Sequence, residues 1–427
     1  MSDRDSALRR ISRGPWRRTY GRINKVNTKS GGLMPREAEH VTSPFSPGYG
    51  RRPLVFGGHK EELDELTEVF RTLDFGENHS VLISGLRGAG KTSMLTMLQD
   101  AALEHGWLVI SDDASSGLME RVMDTAIPSL LDKLEPATRT RLAGLGIWQL
   151  NAQLQYVDRH RQVKPLLRTD LIALSEHIGQ AGILITIDEV SSGKTRLREL
   201  SRFALEVSHA LQGGANVMIV FAGIKVDLDA LLEQVHTTFL RRSKQLDFRR
   251  LTPKETRRVL EESIRIGGRE IEEEALVRLV AVSQGYPYLV QLVGDYAWRN
   301  TPSALRISVA DAEVAHEKAI KAVQRRVISR VYQDLSEKDR EFVQAMAQDH
   351  GRSKISDIVN RMGVSAQYVQ VYKRRLIDTG YVKADGHGYV AFSLPYLGDY
   401  VRSMTAERDE PVASRDEWDD FPPPPSV

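Results

Sequence analysis

A chain of 427 residues with 41% apolar and 27% charged side chains is long enough for two or three folded domains, each with a sizeable core. It has no cysteine, which excludes disulfides and thiolate metal sites. Apolar runs such as Ile183–Ile187 and Val217–Ala222 are far too short to cross a bilayer, so no membrane partner is expected. Net charge is only +2, but it is unevenly spread: twelve Lys/Arg face four acids over residues 1–52, and seven acids face two arginines after Ala406.

Residues 1–43 are a basic arm without the apolar stretch of a secretory signal, so a cytoplasmic protein is the plain expectation. Such an arm either touches nucleic acid or anionic lipid, or is merely solvated. The acidic stretch 405–427 ends in the Pro422–Pro425 run and equally suits docking onto that arm. Neither end has the apolar periodicity that offsets ordering entropy, so both are expected to be flexible.

The turn-rich segment Pro44–Gly50 opens the folded part. Leu63, Leu66, Val69 and Phe70 recur at helical spacing within 59–74, and Val81, Leu82 and Ile83 read as a buried strand. A helix to about Glu104, a strand at Trp107–Ser111 and helices over 117–134 and 165–180 follow. Then come a strand at Ile183–Ile187, a helix over Arg196–Leu211 and a strand at Asn216–Ala222. Strands alternating with helices predict a parallel sheet covered on both faces, here an α/β domain over 44–250. Thr252 and Pro253 then open a purely helical stretch, a lid-like domain over 251–335.

Between the first strand and the helix after it lies G-x-x-x-x-G-K-T, formed by Gly85, Leu86, Arg87, Gly88, Ala89, Gly90, Lys91 and Thr92, with Ser93 following. Glycines free backbone N–H groups to wrap phosphate oxygens, and the helix N-terminus adds partial positive charge. Lys91 is suited to the β- and γ-phosphates, and the Thr92 hydroxyl to Mg²⁺. These residues predict nucleoside-triphosphate binding. Asp188 and Glu189 close the run ILITI, where a metal-associated acid and a residue that polarises attacking water belong. Asp188 is the expected Mg²⁺ ligand through water, and Glu189 the catalytic carboxylate that polarises the attacking water. Position 223, where many relatives of this architecture place a phosphate-sensing polar group, is glycine. Arg241 and Arg242 suit transition-state charge in their own site or a neighbour's, or form only a solvated basic pair. A second Gly193-Lys194-Thr195 is read as a decoy, because Asp188 stands where its first glycine belongs and no strand is expected to lead directly into it.

Residues 336–404 predict three helices and a hairpin, a winged helix. Ser336 caps the first helix, Ile355–Met362 form the second and Ala366–Asp378 the third, ahead of a hairpin whose tip is Asp385–Gly388. If this module reads duplex DNA, Ser365, Gln367, Gln370, Lys373 and Arg374 on the third helix and His387 on the wing are the contacts. The alternative is a winged helix that packs on protein.

With these parts in place, residues 44–403 resemble the origin-recognition-like AAA+ ATPases, in particular a group of actinobacterial ATP-binding proteins. The resemblance rests on PFSPGYGRRPLVFGGHKEELDEL (44–66), the phosphate loop, ILITIDEV, FLRR, GYPYLVQLVG (285–294) and LSEKDREFVQAMAQDHG running into the winged helix. It implies a P-loop AAA+ sheet with a helical lid and a C-terminal winged helix, binding ATP and Mg²⁺. By residue it implies Lys91, Thr92, Asp188 and Glu189 in the roles above, Arg242 rather than Arg241 as arginine finger, and Gly285 and Pro287 near the nucleotide. His59 departs from the usual arginine of its motif, Gly223 from the usual sensor, and the Gly285–Tyr288 stretch has no sensor arginine. These departures point to slow hydrolysis. The sequence thus predicts an ATP-controlled switch that binds DNA, as a single chain or a homo-oligomer, or a signalling or defence-type NTPase whose winged helix contacts protein.

Overall fold

The computed structural model describes residues 42–48, 50–133 and 166–409. Most of the basic arm and of the acidic tail lies outside these residues. The first helix, α1 (Lys60–Thr72), buries Leu66, Val69 and Phe70 at the spacing expected of an amphipathic helix. Five strands follow: β1 (Ser80–Gly85), β2 (Leu108–Asp113), β3 (Ile183–Val190), β4 (Val217–Gly223) and β5 (Lys244–Phe248). They form one sheet of order β2-β3-β4-β1-β5, parallel throughout.

Alternation along these strands divides the apolar side chains between two faces. Leu82, Ile183, Ile185, Ile187, Val217, Ile219 and Phe221 join one core, and Val81, Ile83, Leu184, Met218, Val220 and Ala222 join the other. Helix α2 (Lys91–Glu104) contributes Met94, Leu95 and Leu98 to the second core. Helices α3 (Leu167–Ile178) and α4 (Lys194–Gln212) pack on the first. The helical run between β2 and α3 starts at Leu118 and has a π-helical middle, Val122–Ala126. Helix α5 (Lys225–Leu232) and a 3-10 turn, Thr238–Arg242, lead into β5.

Helices α6 (Pro253–Ile266), α7 (Glu273–Ser283), α8 (Pro287–Asn300) and α9 (Val309–Val323) make the next layer. A capping box at Thr252 and Glu255 starts α6, with Pro253 at its first turn as the sequence predicts. The helical stretch is not purely helical: the short strands β6 (Glu270–Ile271) and β7 (Arg306–Ile307) pair in parallel across it. Two residues each are too few to leave an alternation in the sequence.

The C-terminal part has helices α10 (Glu337–Ala347), α11 (Ile355–Met362) and α12 (Ala366–Asp378), with three short strands. These are β8 (Arg352–Lys354), β9 (Val382–Ala384) and β10 (Tyr389–Phe392), antiparallel in the order β8-β10-β9. The hairpin forms as expected; β8 and a last helix, α13 (Leu397–Asp409), do not figure in the sequence reading. Leu397 and Val401 of α13 are buried in a core that runs without a break from Val259 to the C-terminal module.

Candidate nucleotide site

The loop after β1 wraps around the N-terminus of α2, as strand, glycine turn and helix require. Gly88 has φ +74, and a Cβ there would lie 2.9 Å from Tyr286 Cζ and 3.1 Å from Tyr288 Cβ, so only glycine fits this turn. The Tyr286 hydroxyl donates to the Arg87 carbonyl, and the Tyr288 amide donates to the Gly88 carbonyl at 3.2 Å. The start of α8 is therefore pinned onto the loop. Lys91 Nζ donates to the carbonyls of Gly85 (2.8 Å) and Leu86 (3.0 Å). Burial lowers its pKa to about 8, against attraction from Asp188.

Thr92 and Asp188 meet across the sheet end, Thr92 Oγ1 donating to Asp188 Oδ2 at 2.6 Å. The other carboxylate oxygen accepts the Glu189 amide at 2.8 Å. Glu189 is exposed at φ +54, in the left-handed region that non-glycine residues seldom adopt, where the register of β3 slips between Ile187 and Val190. Beside this bulge Glu189 lines the cavity at the phosphate loop.

A cavity of about 710 Å³ opens above this loop, a size that suits a nucleotide. Every residue from Leu86 to Ser93 lines it, with Asp188 and Glu189. Its apolar lining includes Pro53, Val55, Phe56, Val259, Pro287 and Val290. The leading segment is held there by the Ser46 amide, which donates to Gln291 Oε1 at 2.9 Å. Among the described residues no cluster of three or more His, Asp or Glu suits a metal ion. Thr92 and Asp188 alone fit Mg²⁺, which typically takes one or two protein oxygens and completes its shell with phosphate and water.

Several expected residues lie elsewhere. Gly285 does not line the cavity; its carbonyl accepts the Leu251 amide at 2.7 Å. Gly85 is not a lining residue either; a Cβ there would press on Phe248 at 2.8 Å. Arg242 is exposed and outside the cavity, while Arg241 donates to the Leu232 carbonyl at 3.2 Å. His59 stacks on Phe248 with ring centroids 4.1 Å apart and pairs with Glu62. The second GKT does follow a strand closely, since β3 reaches Val190, contrary to expectation. Gly193 nevertheless keeps an ordinary φ of −58 as the cap of α4, so no phosphate-wrapping turn forms.

The structure adds residues that motif reading passed over. Asp227, in the first turn of α5, lines the cavity and accepts the Ser192 amide at 2.8 Å, four residues beyond the bare strand end at Gly223. Arg196 lines it from α4. Thr379 and Tyr381 reach it from the C-terminal module. No local pattern marks any of these, because each is brought in by packing.

Residues 55–224 match the AAA ATPase domain family. The chain carries an AAA ATPase domain. That match spans β1 through β4 with the phosphate loop, Asp188 and Glu189, and residues 325–401 separately match a domain of unknown function. No curated protein sequence matches the chain. In fold, the chain is similar to the Walker-type ATPase of Pyrococcus abyssi, at 16% identity and a TM-score of 0.58, over 83% of this chain and 97% of that one. It is similar also to the ORC2 protein of Aeropyrum pernix, solved in ADPNP–ADP complexes, at 14% identity and a TM-score of 0.55, over 85% of this chain and 97% of that one. Both likenesses extend well past the AAA ATPase domain, so its helical layer and C-terminal module share the fold.

The residues expected to meet DNA lie on and beside α12. Gln367, Gln370 and Arg374 are exposed on its outer side, Lys373 is half-buried and His387 is exposed at the hairpin tip. The Ser365 hydroxyl caps the helix, accepting the Tyr368 amide at 3.2 Å, and Arg374 lies 3.9 Å from Asp378.

Proposed function

We propose that this protein is an ATP-binding switch of slow turnover whose C-terminal winged helix, residues 336–404, binds duplex DNA. The observation that carries the nucleotide reading is the 2.6 Å contact of Thr92 with Asp188 in a cavity lined by the phosphate loop from Leu86 to Thr92. In this reading Lys91 and the loop amides hold the phosphates, Thr92 and Asp188 hold Mg²⁺, and Glu189 orients the attacking water. Pro287 packs against the nucleotide. The glycine at 223 argues for slow hydrolysis, so the ligand shifts a conformational population rather than driving rapid cycling. Arg242 lies outside its own cavity, which favours a role on the nucleotide of a neighbouring copy in a homo-oligomer.

The deciding experiment is nucleotide binding by the full chain with and without Mg²⁺. Lys91→Ala is expected to abolish ATP binding; normal binding by that variant would refute the assignment. A second reading, a regulatory NTPase whose module grips protein, draws on one observation. The Ser365 hydroxyl is engaged in capping and Arg374 lies beside an acid, leaving α12 few free cations.

A further inference from the structure

The C-terminal module touches the phosphate loop itself. Gly380, with φ +81 at the end of α12, lies so close to Leu86 that a Cβ there would sit 2.7 Å from Leu86 Cδ2. On the same side Arg87 pairs with Asp334 at 3.7 Å. The turn is held in place from behind. The Ser393 amide donates to the Tyr381 carbonyl at 2.9 Å, and Arg250, at the end of β5, donates through Nε to the Ser393 carbonyl at 2.9 Å. Tyr396 donates to the Val282 carbonyl at 2.7 Å and fixes the module to α7. Tyr381 is thus presented to the cavity by contacts on both flanks.

Arg87, Asp334 and Asp227 are the charged groups whose fields act on Tyr381. Arg87 belongs to the turn that wraps phosphate, and Asp227 stands just past the end of β4, where Gly223 supplies no polar side chain. Tyr381 lines the cavity directly after the Gly380 turn that abuts Leu86, so it enters beside the phosphate loop. Burial raises its pKa, so the hydroxyl stays a proton donor at neutral pH.

We infer that Tyr381 is the residue that distinguishes a nucleoside triphosphate from a diphosphate, its hydroxyl donating to the terminal phosphate in place of the group missing at position 223. The inference rests on the nucleotide reading of the cavity given above. Because Tyr381 sits between α12 and β9, a terminal phosphate that engages it also fixes the C-terminal module against the AAA ATPase domain. Loss of that phosphate removes the contact and frees the module's turn.

The test is the affinity of the full chain for fluorescent ATP and ADP analogues with Mg²⁺, for the unaltered protein and Tyr381→Phe. This change removes one oxygen and keeps the ring, so the fold is retained; equal melting temperatures check that. A hydrogen bond to a charged phosphate predicts about a tenfold weaker ATP affinity with ADP affinity unchanged within about twofold. Unchanged ATP affinity, or equal loss for both nucleotides, overturns the inference while leaving the nucleotide reading intact. ATP binding that survives Lys91→Ala would instead overturn that reading, and this inference with it. Hydrogen exchange gives an independent readout: ATP, but not ADP, is expected to slow amides over 379–393, and Tyr381→Phe to abolish the difference. Equal protection by both nucleotides would count against the role.

Discussion

Lys91 donates to two carbonyls of its own loop, and burial brings its pKa down to about 8. Its unfolded value lies near 10.4, so the folded loop binds fewer protons between those limits and the penalty of a charged, desolvated ammonium is fully present below pH 8. A phosphate anion relieves that penalty by pairing with the charged form. ATP affinity is therefore expected to be flat below pH 8 and to fall as pH rises through it, by about tenfold between pH 7 and pH 9. Titration calorimetry at these two values checks the sign; affinity that rises with pH would exclude a charge-pairing role for Lys91. This residue, with Thr92 and Asp188, is plain in the sequence because glycine spacing and a strand-end acid are local patterns. Gly285 is a case where motif proximity misleads. Its position in GYPYLVQLVG suggests a nucleotide neighbour, yet its carbonyl serves Leu251, and Tyr286 and Tyr288 beside it grip the loop.

Among the elements, α3 contains a group that works against its burial. Asp170 is 4% exposed, and its Oδ1 has no hydrogen-bond partner. Desolvation raises its pKa to about 7, so the folded state holds its proton through a range in which the unfolded chain has lost it. Stability from this group accordingly falls as pH rises from about 4 to 7, by up to about 4 kcal/mol. The stability advantage of Asp170→Asn over the unaltered protein is expected to be clearly larger at pH 8 than at pH 5, measured by urea unfolding. The elements that motif reading missed are those with too little pattern to register. Strands β6 and β7 have two residues each, and β8 has three. Helix α13 was obscured by the charged composition that begins inside it, although Leu397 and Val401 are one helical turn apart on its buried side.

At the scale of the molecule, one hydrophobic core joins α6–α9 to the C-terminal module, so the module moves only by sliding or hinging as a packed body. Its outward face, with Gln367, Gln370, Lys373 and Arg374, is directed away from that core. If this face binds duplex DNA, Lys373→Glu with Arg374→Glu is expected to weaken binding at least about tenfold and to reduce the slope of affinity against salt by about two. Binding that ignores both changes, or no DNA binding at all, would favour the protein-contacting alternative. Among the described residues no helix is long and apolar enough to cross a membrane.

The amino-acid order alone determined the α/β alternation, the phosphate loop, the strand-end acids and the C-terminal helices with their hairpin. Each is written in residues near one another in the chain, through periodicity, glycine spacing or caps. Only tertiary packing decided that α8 clamps the loop through Tyr286 and Tyr288, that Asp227 stands beyond a bare strand end, and that Tyr381 enters the cavity. Those positions follow from how separate apolar faces meet, a property of shape and burial that no short window of sequence contains.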